Sequence, residues 1–313
     1  MNQPILQVQG LEKRFNDFQA LQDISFEIFP GEVVCLLGPN GAGKSTTINI
    51  LATLLRYDGG EIRFQGERVE KHPGRLKKSL GIVPQDIAIY EDVPAEANVK
   101  LFASLYGMRG QALQRAAEEA LDFVGLSGRK REKPKTFSGG MKRRLNIACA
   151  IAHKPRLIIM DEPTVGIDPQ SRNHILESIK ELRDEGASII YTTHYMEEVE
   201  EIANRIIIID HGRIIASGTK DELKEQLEEE KLYDVEVEDA GVADPDELYR
   251  IDGVKNVYVD NNRIRITTLK GIENLDKIIA LLMSQGMKII NMTSAAASLE
   301  MVFLKLTGRT LRD

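Results

Sequence analysis

Residues 33–46 read VVCLLGPNGAGKST, an apolar run from Val33 to Leu37 leading into GPNGAGKST from Gly38 to Thr46. Five consecutive apolar residues bounded by glycine predict a strand buried on both faces. A buried strand that feeds a glycine-rich turn and then a helix aims backbone N–H groups and a helix N-terminus at a polyphosphate. Gly38, Gly41 and Gly43 are expected to let the loop turn tightly, without a Cβ between its amides and phosphate oxygens. Pro39, Asn40, Ala42 and Thr46 complete the loop. Lys44 is expected to supply a mobile cation to the terminal phosphates, and Ser45 a hydroxyl to Mg²⁺. This stretch implies an α/β fold that holds a nucleoside triphosphate.

The remaining strands extend outward from it. RLIIMDEP, Arg156 to Pro163, is a second apolar strand that delivers Asp161 and Glu162 at its carboxyl end. In an open α/β sheet that end faces the nucleotide crevice. Asp161 is then placed to hold Mg²⁺ through water, and Glu162 to act as general base on the attacking water. Residues 81–83 and 188–192 read as further buried strands, while 5–9 and 24–29 alternate and read as antiparallel strands. Residues 95–125 read as helical, with breaks at glycines.

FSGGMKRRL, Phe137 to Leu145, opens a helix with Ser138 as its N-cap. Gly139 and Gly140 are expected to expose the amides of that helix start as a second anion site. One chain with a single P-loop has no evident need for a second phosphate cradle. Here the sequence resembles the ATP-binding cassette (ABC) family, in which the signature helix reaches the ATP held by a second subunit. Phe137 and Met141 depart from the usual signature around an intact Ser-Gly-Gly centre.

The resemblance covers about residues 4–220 and assigns further roles. Phe15 matches the aromatic that stacks on adenine, and Gln85, in GIVPQD, the glutamine that approaches Mg²⁺ and the lytic water. Asp168, in GIDP, matches the loop that crosses the dimer seam, and His194 the histidine that contacts the γ-phosphate. Taken alone, Phe15 reads equally as a core or hairpin aromatic. His194 alone reads as a capping or surface histidine beside Glu197, Glu198, Glu200 and Glu201. The ordered array decides both. ATP is favoured over GTP because no Asn-Lys-x-Asp box is present.

The resemblance implies an ABC ATPase domain over 1–220, with a RecA-like core, an antiparallel β subdomain and a helical subdomain that receives a permease. Ile87, Ile89 and Tyr90 are candidate contacts there, although core packing is the expectation for any one of them. Beyond Asp221 the order β-α-β-β-α-β, with a two-residue turn at Asn261-Asn262, predicts a small ferredoxin-like α+β domain over 221–313. The ending SLEMVFLKLTGRTLRD resembles ATPase subunits of daunorubicin-resistance-type exporters, in which an aspartate usually stands at the place of Met301.

Composition narrows the partners. The net charge of −7 comes from residues 221–313, which hold 12 Lys and Arg against 19 Asp and Glu. An acidic appendage repels nucleic acid and anionic lipid. Glu228-Glu229-Glu230 reads as a solvated helix end or linker. No apolar run is long enough to cross a membrane. The expectation is a protein at the cytoplasmic face of the membrane, held by a separate integral membrane permease and working as a homodimer. Cys35 and Cys149 read as reduced, buried thiols. The alternatives are a soluble ABC ATPase acting on nucleic acid or ribosomes, and a nucleotide-gated regulatory module.

Overall fold

The computed structural model describes residues 3–225, 230–239, 244–295 and 298–309. The described residues divide into two compact units, one up to Thr219 and the other from Lys220 onward. In the first, the elements in chain order are β1 (Leu6–Phe15), β2 (Phe18–Ile28), β3 (Val33–Leu37), α1 (Lys44–Leu51), β4 (Gly59–Phe64), β5 (Glu67–Arg68), α2 (Pro73–Ser79), β6 (Leu80–Val83), α3 (Ala95–Leu105) and α4 (Gly110–Phe123). They continue with α5 (Gly139–Ile151), β7 (Leu157–Asp161), α6 (Pro169–Asp184), β8 (Ser188–Thr192), α7 (Met196–Ile202), β9 (Arg205–Asp210) and β10 (Arg213–Gly218).

A six-stranded sheet runs in the order β10-β9-β3-β8-β7-β6. The four apolar strands anticipated from the sequence stand side by side in it as β3-β8-β7-β6, all parallel. Every residue of β3 and β8 is buried, so the alternation that marks a one-sided strand is absent. A second sheet, in the order β2-β1-β4-β5, is antiparallel. β1 and β2 run well past the predicted 5–9 and 24–29 and pair down to Phe15 opposite Phe18. Register shifts after Val8 interrupt the period-2 pattern, which hid the outer half of this hairpin. The predicted helical stretch over 95–125 is two helices, with a left-handed Gly107 between them and a left-handed Gly110 opening the second.

The second unit holds α8 (Lys220–Glu225), β11 (Glu230–Val237), α9 (Pro245–Tyr249), β12 (Val254–Asp260), β13 (Arg263–Leu269), α10 (Leu275–Ser284), β14 (Ile289–Ala295) and α11 (Leu299–Thr307). Its sheet, β12-β13-β11-β14, is antiparallel throughout. That is the strand order of the ferredoxin-like fold, with β11 and β13 central and apolar residues such as Val235, Ile264 and Ile266 packed against Ile278 and Leu282 of α10. The last strand starts at Ile289, and Met287 just before it is buried in the same core. Met301 is also buried, on α11. Glu228 and Glu229 lie outside the described residues.

Candidate nucleotide site

The parallel register brings the functional residues together. Because β3, β8, β7 and β6 are adjacent and parallel, the segments leaving their carboxyl ends share one edge of the sheet. β3 leads to the P-loop, β7 to Glu162, β8 to His194 and β6 to Gln85. Asp161 and Thr192 are register partners at the last rung of β7 and β8. The Thr192 hydroxyl donates to Asp161 Oδ1 at 2.6 Å and accepts the Glu162 N–H at 2.9 Å. One threonine therefore fixes both acids. Sequence reasoning passed over Thr192; its signal was a β-branched hydroxyl immediately before the Thr-His pair at a strand end.

Glu162 is 8% exposed, and both of its carboxylate oxygens are engaged. Gln85 Nε2 donates to Oε2 at 3.1 Å, and His194 Nε2 pairs with Oε1. Its backbone is left-handed, φ 46°, a conformation costly for a residue with a Cβ and concentrated at functional sites. Burial pushes the Asp161 carboxyl above its ordinary range, with Glu162 adding to the shift and the Thr192 hydroxyl and Lys44 opposing it.

Lys44 is tied to its own loop. It is 7% exposed and its ammonium donates to Gly38 O at 2.5 Å and Pro39 O at 3.1 Å. Burial lowers its pKa, while Glu162 and Asp161 work in the other direction. The three loop glycines also have separate reasons. A Cβ on Gly38 would lie 2.2 Å from Ile209 O, and one on Gly43 2.7 Å from Leu21 Cδ2, so both are set by close approach of neighbouring strands. Gly41 meets nothing within 4 Å and is set by its φ of 79°. Asn40 and Ser45 are exposed, and Ala42 is buried. Ser45, Gln85 and Asp161 carry a hydroxyl, an amide oxygen and a carboxylate, hard oxygen donors of the kind that suits Mg²⁺.

Phe15 is 43% exposed at the tip of the β1–β2 hairpin, with Lys13 Nζ 5.3 Å from its ring centroid. Leu21 and Ala20 of the same hairpin back the P-loop at Gly43. Ser138 is exposed and N-caps α5, accepting from the Met141 N–H at 3.3 Å. Gly139 is exposed, whereas Gly140 is buried: a Cβ there would fall 2.1 Å from Ser171 Oγ and 3.3 Å from Asp168 Oδ2. The absence of a Cβ at the second glycine is what lets α5 pack closely on α6. Asp168 caps α6 through the Ser171 N–H at 2.9 Å, a bond that holds its carboxyl below the usual range. Ile87 and Tyr90 are exposed, against the expectation of core packing. A cavity of about 960 Å³ lined by Pro4, Phe123, Ile151, Pro155 and Glu181 contains none of these residues.

A P-loop at the carboxyl edge of a parallel sheet, an acid pair at the end of β7 and a separate Ser-Gly-Gly helix start define an ABC-type ATPase. Residues 21–165 match the ABC transporter family, and residues 218–307 match the C-terminal domain of DrrA1-3-like ATP-binding proteins. The chain is 42% identical to the linearmycin resistance ATP-binding protein LnrL of Bacillus subtilis (strain 168), over 99% of this chain and 100% of that one. It is 34% identical to the daunorubicin/doxorubicin resistance ATP-binding protein DrrA of Streptomyces peucetius, over 98% and 94%. Among solved structures it resembles an ATP-binding subunit of an ABC transporter with a TM-score of 0.65 and 33% identity, covering 71% of this chain and 93% of that one. The chain belongs to the family of ABC transporter ATP-binding proteins. It is an ATPase subunit whose hydrolysis is coupled to transport, and subunits of this family work with separate membrane permeases. Among the described residues no helix is long and apolar enough to cross a membrane.

Proposed function

We propose that two copies of this chain close on two ATP molecules, each held between the P-loop of one copy and Ser138, Gly139 and Gly140 of the other, and that this closure drives export by a separate permease. The observation that carries the reading is the convergence of Lys44, Asp161, Gln85 and His194 around the buried Glu162. Glu162 takes the proton of the attacking water, and Gln85 and His194 hold the two oxygens of its carboxylate in the orientation this needs. Lys44 and the amides from Gly38 to Thr46 bind the phosphates, and Phe15 offers a face to the base. Ser45, Asp161 and Gln85 would hold Mg²⁺, which neutralises charge on the phosphate oxygens.

Residues 1–220 form the nucleotide-binding domain in this reading, and 221–313 an accessory domain that stabilises or regulates the dimer. Exposed Ile87 and Tyr90, on the loop after Gln85, would face the permease, with the protein held through it, peripherally, at the cytoplasmic face of the membrane. Full-length similarity to resistance proteins for linearmycin and daunorubicin favours a part in drug-resistance export.

Two substitutions and one isolation test this. Glu162→Gln retains ATP binding and traps a closed dimer, with turnover down about a hundredfold or more in a phosphate-release assay. Continued rapid hydrolysis removes Glu162 as the base. Lys44→Ala weakens nucleotide binding about tenfold or more by equilibrium titration, and unchanged affinity counts against the loop assignment. Tagging the chain in its native cells and solubilising membranes in mild detergent recovers a polytopic membrane protein in stoichiometric amount; recovery with ribosomes or DNA instead promotes the soluble alternative.

A further inference from the structure

Arg143 lies on the second turn of α5, five residues after the Ser138 cap, and is 4% exposed. Its guanidinium does not reach an acid. Nη1 donates to Pro84 O at 2.7 Å and Nη2 to Gln85 O at 2.5 Å. Those carbonyls begin the loop that leaves β6, and the Gln85 side chain of the same loop donates to Glu162 Oε2. A continuous path therefore runs from the signature helix through one guanidinium and one glutamine to the carboxylate.

The rest of the loop is gripped as well. Lys142, the neighbour of Arg143, pairs with Glu91 at 2.7 Å. Asn98 of α3 is fully buried; its Oδ1 accepts from Tyr90 N–H, and its Nδ2 donates to the carbonyls of Tyr90, Val93 and Pro94. With its start fixed to α5 and its end to α3, the loop over 84–94 follows any movement of those helices.

A buried cation is an expensive way to fill space, and an apolar side chain of the same volume usually packs at least as well. A planar fork, however, can satisfy two successive carbonyls at once, which an ammonium cannot do with the same geometry. We propose that Arg143 is a positioning residue that joins the signature helix and the Gln85 loop into one body, so that engagement of Ser138–Gly140 with nucleotide across a dimer is delivered to the Gln85–Glu162 hydrogen bond. The inference rests on the roles given above to Gln85 and Glu162.

The test is a double-mutant cycle on the full chain assembled with its permease, reading kcat and KM for ATP beside nucleotide affinity and Tm. Arg143→Met, which keeps the volume and removes both bonds, lowers kcat about tenfold while nucleotide affinity stays within about twofold. Arg143→Lys recovers part of the loss, and keeps the cycle measurable if the Met variant does not fold. Combined with Gln85→Ala, Arg143→Met is no slower than Gln85→Ala alone, because both act through the same bond. Wild-type kcat in Arg143→Met, or losses that multiply in the double variant, overturns the proposal. A Gln85→Ala variant with wild-type turnover removes the underlying reading of Gln85, a result distinct from a silent Arg143.

Discussion

Gly38 and Gly41 stand in one motif but answer to different constraints, and substitution separates them. Gly38→Ala drives a Cβ against the Ile209 carbonyl, a backbone atom that cannot step aside, so it costs about 1–3 kcal/mol of stability in urea unfolding. Gly41→Ala has open space and costs only about 1–2 kcal/mol for its left-handed backbone, so its loss shows in nucleotide affinity more than in the unfolding midpoint. Equal unfolding midpoints and affinities for the two variants would sink the distinction. At this scale the sequence pointed to the P-loop, Asp161 and Glu162 because each stands at the end of an apolar run where a strand stops, and to Gln85 and His194 only through the ordered array shared with the ABC family. It did not name Thr192 or Arg143. A threonine in a strand and an arginine in a helix are ordinary residues until the register and the crossing of α5 over the β6 loop show which atoms they meet.

Element by element, the helical part is tied to the sheet by a joint absent from the sequence pattern. The rings of Tyr106, at the end of α3, and His153, just past α5, stack with centroids 3.4 Å apart and planes 8° from parallel. Leu80 O, at the start of β6, accepts the Tyr106 hydroxyl at 3.0 Å and lies 3.2 Å from His153 Nε2. Burial pulls the His153 imidazole from 6.5 down to about 4, against the Leu80 carbonyl, which favours the charged form. The folded state therefore keeps His153 neutral where the unfolded chain protonates it. The stabilisation is complete above about pH 6.5, falls as pH drops from there to about 4, and changes no further below, a loss of at most about 3 kcal/mol at 1.36 kcal/mol per pKa unit. His153→Phe keeps the stack and removes the titration. Urea midpoints followed from pH 7 to 4 fall more steeply for the wild type than for this variant; parallel curves would exclude His153 as the titrating group. Spacing over 95–125 foretold helix and glycine breaks but not this joint, since neither ring belongs to an apolar period.

In the whole molecule, the residues assigned to nucleotide all fall within Met1–Thr219. A chain ending at Thr219 is therefore expected to bind ATP with affinity within about twofold of the full chain by titration, since every residue assigned to nucleotide lies in that unit. A large loss would place part of the site in the second unit. Apolar periodicity and turn residues alone determined the parallel strand set, the ferredoxin-like order beyond Asp221 and the positions of the acids, because burial on one face or two is written directly into which residues are apolar. Motif chemistry determined the triphosphate site, because glycine, lysine and a paired carboxylate at strand ends have few other uses in that order. Only the tertiary structure decided that Lys44 is clamped to its own loop, that Gly140 is packed on Ser171, and that Thr192 and Arg143 hold the acids and the Gln85 loop. Those facts depend on distances between segments far apart in the chain, and no local pattern of side chains fixes such distances until the strands are in register.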